Sequence, residues 1–450
     1  MPARLEIDLG AQRPPPRRRA GEPMRILLVG DFGGASLAER VPLADRPTHR
    51  VDLERLEPLV QRLRPRVLSA CGAVDFEQLD DFHPDALFAR LPAFDALRQA
   101  RAQPPGAGGA LLGQLIGQPA AGAATAAPAA PAAPRSGLDA LLHQVTAGHV
   151  VADRSAETAA HLAAVDAAIA EQMRALLHTP ELQRLEAAWR GLQWLLERLE
   201  LDETLELHLF DATRDELLAD IVAAQGRLAE TGLQRALAER WRGVPGAPGW
   251  TLLVGLYAFG ASDTDIGLLA ALGLVASRAG GPWLAEADAA LAAADDATLA
   301  GWHTLRSSEA APWIGLATPR LLLRRPYGKA SDPVAAFAFE EIVGAPRSDE
   351  LLWGNPALAI ALLAARARGE PGDGSAAGPA QTIDDLPTYV FTRDGERELQ
   401  PCTERPIGEQ EALALLQGGL MALLAHRDRN ALTVLRLQSI AQPPRALAGL

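Results

Sequence analysis

The sequence predicts an α/β fold in which a mixed, largely parallel sheet is flanked by helices, together with a small α/β unit at the N-terminus. The first observation is the apolar run from Trp250 to Phe259, which is typical of a strand buried on both faces. The second is that strand patterns alternate with helical patterns along the chain, as in βαβ units. The third is a charge-free segment rich in alanine, proline and glycine, Gln103 to Pro134, that separates two structured parts.

This segment divides the chain of 450 residues into two modules and a linker. A stretch of small residues and prolines without charge cannot build a hydrophobic core, and it is typical of a semi-extended linker. The chain length allows about two or three domains. We therefore predict a first module at residues 1–101, a linker at 102–136 and a second module at 137–450.

The first module combines strand and helix patterns. ARLEIDLG alternates as a half-buried strand does, and MRILLVGDF has the continuous apolar run of a buried strand. THRVDLERLEPLVQRLRPRV predicts the end of a strand and then a helix, with Asp52 as its N-cap and Pro65 as its stop. Two further helices are predicted, one from about Pro84 and one after Pro92.

The second module opens with helices and continues as an α/β pattern without an internal repeat. Its predicted helices are Leu138 to His143, Ala156 to Leu177, Pro180 to Leu199, the segment TRDELLADIVAAQGRLAE, a helix opened by Asp263 or Asp265, Ala357 to Ala367, and Glu411 to His426. Its predicted strands are Leu205 to Ala212, Trp250 to Phe259, a strand or loop in GPWLAEAD, the segment PWIGLATPRLLLR, and NALTVLRLQSI.

Charge and cysteine content exclude several classes of function. The net charge of −13 argues against nucleic acid as a main partner, because phosphate binding needs clustered Lys and Arg. The basic run of Arg13 with Arg17 to Arg19 is interpreted as a solvated tail. Cys71 and Cys402 are too few for a disulfide framework and fit a reducing compartment. Without a signal peptide or a long apolar run, we expect a cytoplasmic protein without membrane insertion.

The residues show no convincing catalytic constellation. GDFGG after the first buried strand fits neither the dinucleotide-binding glycine spacing nor a kinase motif set, and the histidines lack metal-ligand spacing. Adjacent carboxylates such as Glu340 and Glu341 point in different directions and are interpreted as solvated faces or caps. The basic turn RRPYG, Arg324 to Gly328, is compatible with anion binding or with a partner contact. We therefore favour an assembly or binding role without catalysis, cofactor or metal.

The helix PELQRLEAAWRGLQWLLERL carries two tryptophans on different sides. Five residues at about 100° each place Trp194 about 140° from Trp189 around the helix axis. Trp189 belongs to a leucine stripe, and Trp194 lies opposite, beside Ala187. Trp194 is either a surface aromatic or a contact to a second layer.

The same helix resembles a segment of the large contractile-sheath subunit of bacterial type VI secretion systems, the TssC (VipB/ImpC) family. The family resemblance of this helix implies the second arrangement, with the leucine stripe on the core of the second module and Trp194 against either the preceding helix or the first module. Later segments resemble that family in the same order across nearly the whole second module. The most specific match is WHTLRSSEAAPWIGLATPRLLLRRPYG, and FAFEE, LLWGNPALAIALL, DDLPTYVF and LTVLRLQSIAQPP follow. The resemblance implies structural or interaction roles for Trp189, Trp194, Arg306, Glu309, Pro319, Arg320, Arg324, Tyr327, Trp353 and Asn355.

The first module resembles the small sheath subunit, the TssB (VipA) family. The matching segments are MRILLVGDFGG, RVDLERLEPLVQRL and, most specifically, DDFHPDALFARLPAFDALRQAR, which contains the motif residues Phe82 and Pro84. The chain thus resembles a fusion of two subunits that form an obligate heterodimer in the family. Fusion would fix their ratio at one to one, and a short tether would raise their effective concentration to roughly millimolar.

The resemblance implies a structural subunit of a contractile sheath, or of a sheath-like assembly, around an inner tube. The implied partners are copies of itself or other sheath subunits and the hexameric inner-tube protein. Baseplate proteins and the disassembly ATPase are further partners, the ATPase through a helix near Leu138 to His143. Family large subunits continue beyond the segment matched by LQSIAQPP, and the small-subunit module ends early. These departures favour an alternative: a sheath cap, nucleator or baseplate-proximal adaptor that does not polymerise as a normal sheath.

Overall fold

The strand MRILLVG is buried along its whole length, and the main sheet is built around it. The computed structural model describes residues 23–36, 40–105, 112–113, 155–240, 249–293, 299–367 and 381–450. In it, this strand is β1 (Met24–Gly30), and all 7 of its residues are buried. Such a strand must have partners on both edges and packed layers on both faces.

The described residues form one large sheet and three two-stranded sheets. The strands in chain order are β1 (Met24–Gly30), β2 (His49–Val51), β3 (Arg66–Ser69), β4 (Gly72–Asp75), β5 (Leu205–Asp211), β6 (Leu252–Phe259), β7 (Trp283–Ala287), β8 (Ile314–Thr318), β9 (Leu321–Leu322), β10 (Trp353–Gly354), β11 (Gln381–Ile383), β12 (Tyr389–Arg393), β13 (Glu396–Gln400), β14 (Leu420–Ala425) and β15 (Leu432–Val434). The large sheet has nine strands in the order β11-β15-β14-β8-β7-β6-β1-β5-β2. The small sheets are the pairs β3-β4, β9-β10 and β12-β13.

The large sheet is mixed but mostly parallel. The strands from β14 across to β5 run parallel to one another. The strands β2, β15 and β11 pair antiparallel at the two ends of the sheet. With helices packed on the sheet, this architecture confirms the predicted α/β class.

The first module supplies the strand that joins two parts of the second module. β1 lies between β5 and β6, with Met24 opposite Leu205 and Ile26 opposite Leu252. β2, also from the first module, pairs with the free edge of β5. The N-terminal α/β unit therefore shares the large sheet with the second module. The apolar character of β1 on both faces explains this position, because a central strand needs cover from both sides.

Helices flank the sheet and connect most of its parallel strands. They are α1 (Leu53–Leu63), α2 (Pro84–Arg90), α3 (Asp95–Ala102), α4 (Ser155–Leu177), α5 (Pro180–Leu196), α6 (Arg214–Ala223), α7 (Gly232–Gln234), α8 (Asp263–Ala279), α9 (Ala289–Ala292), α10 (Ala300–Arg306), α11 (Ala357–Ala367) and α12 (Glu409–Gln417). Short 3₁₀ turns are Leu79–Phe82, Pro92–Phe94, Leu228–Glu230, Ala311–Trp313 and Ser348–Glu350, and Arg235–Glu239 is a π-helical turn.

Local capping explains where several helices begin. Asp52 caps α1 as predicted, since its side chain accepts the N–H of Arg55 at 2.8 Å. Thr213 and Glu216 form a capping box at α6. Ser262 caps α8 through the N–H of Asp265. These polar side chains satisfy N–H groups that the first helical turn leaves without partners.

Alternate residues of β1 contribute side chains to two hydrophobic cores, one on each face of the sheet. Ile26 and Leu28 join a core that includes buried residues of α4, α5 and α11. Leu27 and Val29 join the opposite core, which contains residues of α6, α8 and α10. The first-module helices α1, α2 and α3 contribute to the first of these cores. Both modules therefore bury apolar surface together on that face of the sheet.

The helix and the strand predicted for the C-terminal region are both present, but both predictions are too long. The helix expected from Glu411 to His426 ends within that span, and β14 occupies its second half. Gly419 has φ +87°, a left-handed conformation that glycine adopts without strain and that ends the helix. The final predicted strand is reduced to β15. The strand expected in ARLEIDLG and the helix expected from Leu138 to His143 lie outside the described residues.

Candidate functional site

The most specific sequence motif forms a buried charged cluster around Arg324, in the loop that follows β9. The guanidinium of Arg324 donates from Nε to Glu186 Oε1 at 2.8 Å and from Nη1 to Glu341 Oε2 at 2.7 Å. The two carboxylate side chains are only 1% and 2% exposed. Glu186 lies on α5, and Glu341 lies at the far end of the loop. One arginine thus joins a helix to both ends of the loop, residues 324–341, called the motif loop below.

Arg190 and Tyr327 complete the cluster. Arg190 donates to Glu186 Oε1 at 2.6 Å and to the hydroxyl of Tyr327 at 2.8 Å. The main-chain N–H of Tyr327 donates to Glu341 at 2.7 Å. The guanidinium of Arg324 stacks on the Tyr327 ring, 4.0 Å from its centroid. Two arginines therefore balance two carboxylates in a site with little solvent.

The arginines reverse the usual effect of burial on these carboxyl groups. Burial alone would raise the pKa of Glu341. Arg324 and the neighbouring hydrogen bonds have the larger, opposite effect, so the pKa falls from its ordinary value of 4.5 to about 2. The pKa of Glu186 is likewise lowered, because Arg324 and Arg190 outweigh burial. Burial raises the pKa of the Tyr327 hydroxyl. The cluster thus keeps fixed charges near neutral pH, which suits a structural ion pair and does not suit proton transfer.

Helix α2 of the first module holds the motif loop from the other side. Asp85, in its first turn, accepts the main-chain N–H groups of Ala335 at 3.0 Å and of Ala336 at 2.9 Å. His83, the N-cap of α2, packs edge-on against the ring of Tyr327, with centroids 5.0 Å apart. The loop that contains Arg324 is therefore bound by both modules.

The predicted first-module residues Phe82 and Pro84 support this contact by positioning helix α2. Phe82 is fully buried and stacks on Phe76, with ring centroids 4.1 Å apart. Pro84 is the first residue of α2. Proline is tolerated there because an N–H group at this position would have no acceptor within the helix. Phe88 on the same helix packs against Phe337 of the motif loop at 5.0 Å. The motif thus builds a helix whose other side chains make the contact between modules.

A second carboxylate fastens the same loop to the helices α3 and α4. Asp166 on α4 accepts the N–H of Ala338 at 3.1 Å and the Nε of Arg101 on α3 at 2.7 Å. His161 on α4 lies 3.0 Å from the main-chain oxygen of Ala100, measured from Nε2. Polar contacts therefore cross the module boundary at several points along these helices.

The two tryptophans of α5 are both buried. Trp189 donates from Nε1 to the main-chain oxygen of Phe32 at 2.9 Å, and the two rings pack edge to face. The leucine stripe of α5 lies in the core of the second module as expected, but residues of the first module share this core, and Phe32, which follows β1, is one of them. Trp194 is 5% exposed and lies under the guanidinium of Arg198, which excludes a surface aromatic. The layer that Trp194 contacts stays a prediction.

Arg306 and Arg320 lie apart from the charged cluster. Arg306 is buried and donates to the main-chain oxygens of Ile440 at 2.9 Å and Gln417 at 2.8 Å, which fixes the C-terminal segment against α10. Arg320 binds Glu404 through two hydrogen bonds of 2.9 and 2.6 Å. Both arginines thus connect segments that are distant in sequence.

The remaining motif residues have local roles or lie at the surface. Trp353 donates to a main-chain oxygen in the preceding 3₁₀ turn at 2.7 Å. Asn355 precedes α11 and donates to the main-chain oxygen of Tyr257 at 3.2 Å. Pro319 follows β8, and Glu309 is exposed. The residues implied by the resemblance therefore do not form one site; several are parts of the scaffold.

Sequence reasoning missed the acidic half of the charged cluster. Glu341 is not a solvated or capping carboxylate, because Arg324 compensates for its burial. The basic turn does not present Arg324 to an anion, since two carboxylates already occupy its guanidinium. Glu186 and Arg190 have the i, i+4 spacing of a helical ion pair, and this spacing was the available signal.

Metal ligation and thiol reactivity can be assessed directly in the residues that the structure describes. Among them, no group of three or more His, Cys, Asp and Glu side chains is arranged to hold a metal ion. Burial raises the pKa of the Cys402 thiol to about 11, so this cysteine is no ready nucleophile. No helix in this part of the chain is long and apolar enough to cross a membrane.

Comparison with known proteins gives matches to two sheath families, one at the beginning of the chain and one over the rest. A family model for VipB, described as the EvpB tail sheath N-terminal domain, matches residues 159–300 and 291–441. A model for the type VI secretion system protein VipA matches residues 2–106. Over 310 residues the chain is 30% identical to the type VI secretion system sheath protein TssC1 of Pseudomonas aeruginosa.

That alignment covers 63% of this chain and 61% of TssC1, so the chain spans about three fifths of the length of this relative. The VipB matches alone extend over more than half of the chain, and the VipA match precedes them. The segments that carry the charged cluster and the shared sheet fall within these matches. The chain therefore belongs to the VipB tail-sheath family of type VI secretion systems and carries a VipA-like segment in front of the VipB-like one.

Proposed function

We propose that this protein is a structural subunit of a type VI secretion contractile sheath, or of a sheath-like assembly, and that it acts without catalysis. Family membership supports the sheath role. The position of β1 between β5 and β6 is the observation that best supports a sheath role for the two segments acting as one unit. A VipA-like strand inserted between two strands of a VipB-like sheet makes the two segments one building block.

The contacts of the motif loop support the same proposal. Asp85 of the first module and Glu186 of the second each bind this loop, directly or through Arg324. Such contacts would keep the two modules in one relative orientation while the assembly stores and releases free energy. A sheath subunit needs this rigidity, because contraction acts through contacts between subunits rather than through chemistry in one chain.

Several finer statements belong to this proposal. The module limits are 1–101 and 137–450, with the linker between them. The partners are copies of the chain or other sheath subunits, and an inner-tube protein. Baseplate proteins and the disassembly ATPase are further candidates, and the helix expected to bind the ATPase, Leu138 to His143, lies outside the described residues. A cytoplasmic location stays a prediction of the sequence.

Electron microscopy of the purified chain tests the proposal. Negatively stained samples with and without inner-tube protein should show rings or tubes built from the chain. The variant Leu28→Asp places a carboxylate in the centre of the sheet and should abolish both folding and assembly. Wild-type chain that folds but stays monomeric, also with tube protein and sheath subunits present, would contradict the proposal.

The same preparation distinguishes the alternative role of cap, nucleator or baseplate-proximal adaptor. The chain is mixed with separate sheath subunits at increasing ratios, and the filament lengths are measured. A subunit is incorporated along the filaments and leaves their length distribution unchanged. A cap shortens the filaments when it is present in small amounts.

A further inference from the structure

Arg320 faces two carboxylates but is fully engaged by only one of them. Two hydrogen bonds join it to Glu404, from Nε to Oε2 at 2.9 Å and from Nη2 to Oε1 at 2.6 Å. Glu286 on β7 approaches the same guanidinium only to 4.0 Å, from Oε1 to Nε. One arginine therefore has two possible partners, at a place separate from the charged cluster around Arg324.

Glu404 holds the base of the hairpin formed by β12 and β13. Its carboxylate also accepts the hydroxyl of Ser348 at 2.8 Å, and its main-chain N–H donates to the oxygen of Arg320 at 2.9 Å. Gln400, the last residue of β13, donates to the main-chain oxygen of Thr403 at 3.0 Å. The hairpin pairs with no further strand among the described residues. These contacts join the base of the hairpin to Arg320 and Ser348, in addition to the packing of Tyr389 on a small apolar cluster.

The charged groups that act on Glu286 are Arg320, Glu404 and Asp288. Its side chain is 17% exposed. Burial raises its pKa to about 7, the two carboxylates add to this effect, and Arg320 opposes it. The pKa of Glu404 is lowered instead, because the hydrogen bonds and charge of Arg320 outweigh burial. Near neutral pH, Glu286 therefore changes between its protonated and ionised forms, while Glu404 remains ionised.

We propose that Glu286 and Glu404 compete for Arg320, and that ionisation of Glu286 loosens the base of the β12–β13 hairpin. While Glu286 is protonated, the guanidinium binds Glu404 through both hydrogen bonds. When Glu286 loses its proton, a second carboxylate attracts the guanidinium and weakens its hold on Glu404. The hairpin then opens more often, and its main-chain amides exchange faster with solvent.

The direction of the pH dependence follows from proton binding. Glu286 binds a proton more tightly in the folded chain than in the unfolded chain, where its ordinary pKa is 4.5. Its contribution to stability is therefore fully present below about pH 4.5 and is lost as the pH rises through about 7. The hairpin should loosen over the upper part of this range, from about pH 6 to about pH 8.

Hydrogen exchange of the full chain tests this switch. Wild type and Glu286→Gln are compared at the same pH, so that intrinsic exchange rates cancel. At about pH 8 roughly nine tenths of Glu286 is ionised, and hairpin peptides of the wild type should exchange several-fold faster than those of the variant. At about pH 6 the two chains should exchange alike. If the hairpin peptides of wild type and Glu286→Gln exchanged at equal rates at about pH 8 as well as at about pH 6, the proposal would be overturned.

A second variant guards against a general loss of stability. In Arg320→Gln the hairpin should exchange faster than in the wild type at about pH 6, and its protection, corrected for intrinsic exchange rates, should be the same at about pH 8. Peptides from β6 serve as the internal reference and should be unchanged in both variants. A hairpin that keeps its pH dependence in Arg320→Gln, relative to β6, would also overturn the proposal.

Discussion

Replacing Arg324 by methionine tests whether the charged cluster holds the motif loop in place. The substitution keeps a long unbranched side chain and removes the guanidinium that joins Glu186 to Glu341. Arg190 still faces Glu186. Glu341 keeps the main-chain N–H of Tyr327 at 2.7 Å, while His178 Nε2 lies 3.7 Å away. A buried carboxylate thus loses the cation that compensates for its desolvation.

The expected loss of stability follows from two lines of reasoning. Removing one partner of a buried ion pair costs about 3–5 kcal/mol, because the other charge stays buried without compensation. The fall in the pKa of Glu341 from 4.5 to about 2 corresponds to roughly 3 kcal/mol at neutral pH. We therefore expect Arg324→Met to lower the free energy of unfolding by about 3 to 5 kcal/mol at neutral pH.

The pH dependence supplies a second signature of the same change. In the wild type the pKa of Glu341 is lowered, so its stabilisation is present above about pH 4.5 and is lost as the pH falls towards 2. In Arg324→Met, burial without the arginine should raise that pKa instead. The variant should then recover stability as the pH falls from about 7 to about 5, and the gap to the wild type should narrow.

Urea unfolding followed by tryptophan fluorescence, at several pH values in that range, measures both effects. The neighbouring Arg325 is exposed and provides the matched control. Arg325→Met should change the free energy of unfolding by less than about 0.5 kcal/mol. A loss below about 1 kcal/mol in Arg324→Met, or an equal loss in both variants, would refute the reasoning.

Two further predictions use paired substitutions. Trp189→Phe should cost about 1–2 kcal/mol more than Trp194→Phe in urea unfolding, because the Trp189 indole donates a hydrogen bond whereas the buried Trp194 indole has no acceptor among the described residues. Similar costs would contradict this assignment. Gly255→Ala should lower the melting temperature by several degrees, since a Cβ there would overlap the indole of Trp283 and cost about 1–3 kcal/mol. Gly408→Ala, where a Cβ meets open space, should leave the melting temperature nearly unchanged, and an equal shift in both would argue against this packing.

The sequence was sufficient to predict the α/β class, because the signals that determine it are local. The apolar run of β1 and the N-cap at Asp52 both lie where the residues predict them. The insertion of β1 between β5 and β6 could not be predicted in this way. Strand order depends on pairings between distant residues, as between Met24 and Leu205, which are 181 positions apart. Periodicity within a segment carries no information about such pairings.

The same limit explains the errors about individual side chains. The sequence places Glu341 on a solvated face or in a cap because adjacent carboxylates point in different directions, and only the fold brings Arg324 beside it. The helical angle placed Trp189 and Trp194 on different sides correctly, but it could not say which module covers each side. In the C-terminal helix, Gly418 and Gly419 are the local signal for its end, and the apolar residues that follow them belong to β14.

The VipA-like segment supplies an interior strand, β1, of the sheet that it shares with the VipB-like segment. Native-state hydrogen exchange of the full chain, in increasing but sub-denaturing urea, tests this central claim most directly. Peptides covering β1, β5 and β6 should open with the same free energy, equal to that of global unfolding. Exchange of β1 through a separate, lower-energy opening, while β5 and β6 remain protected, would contradict the claim.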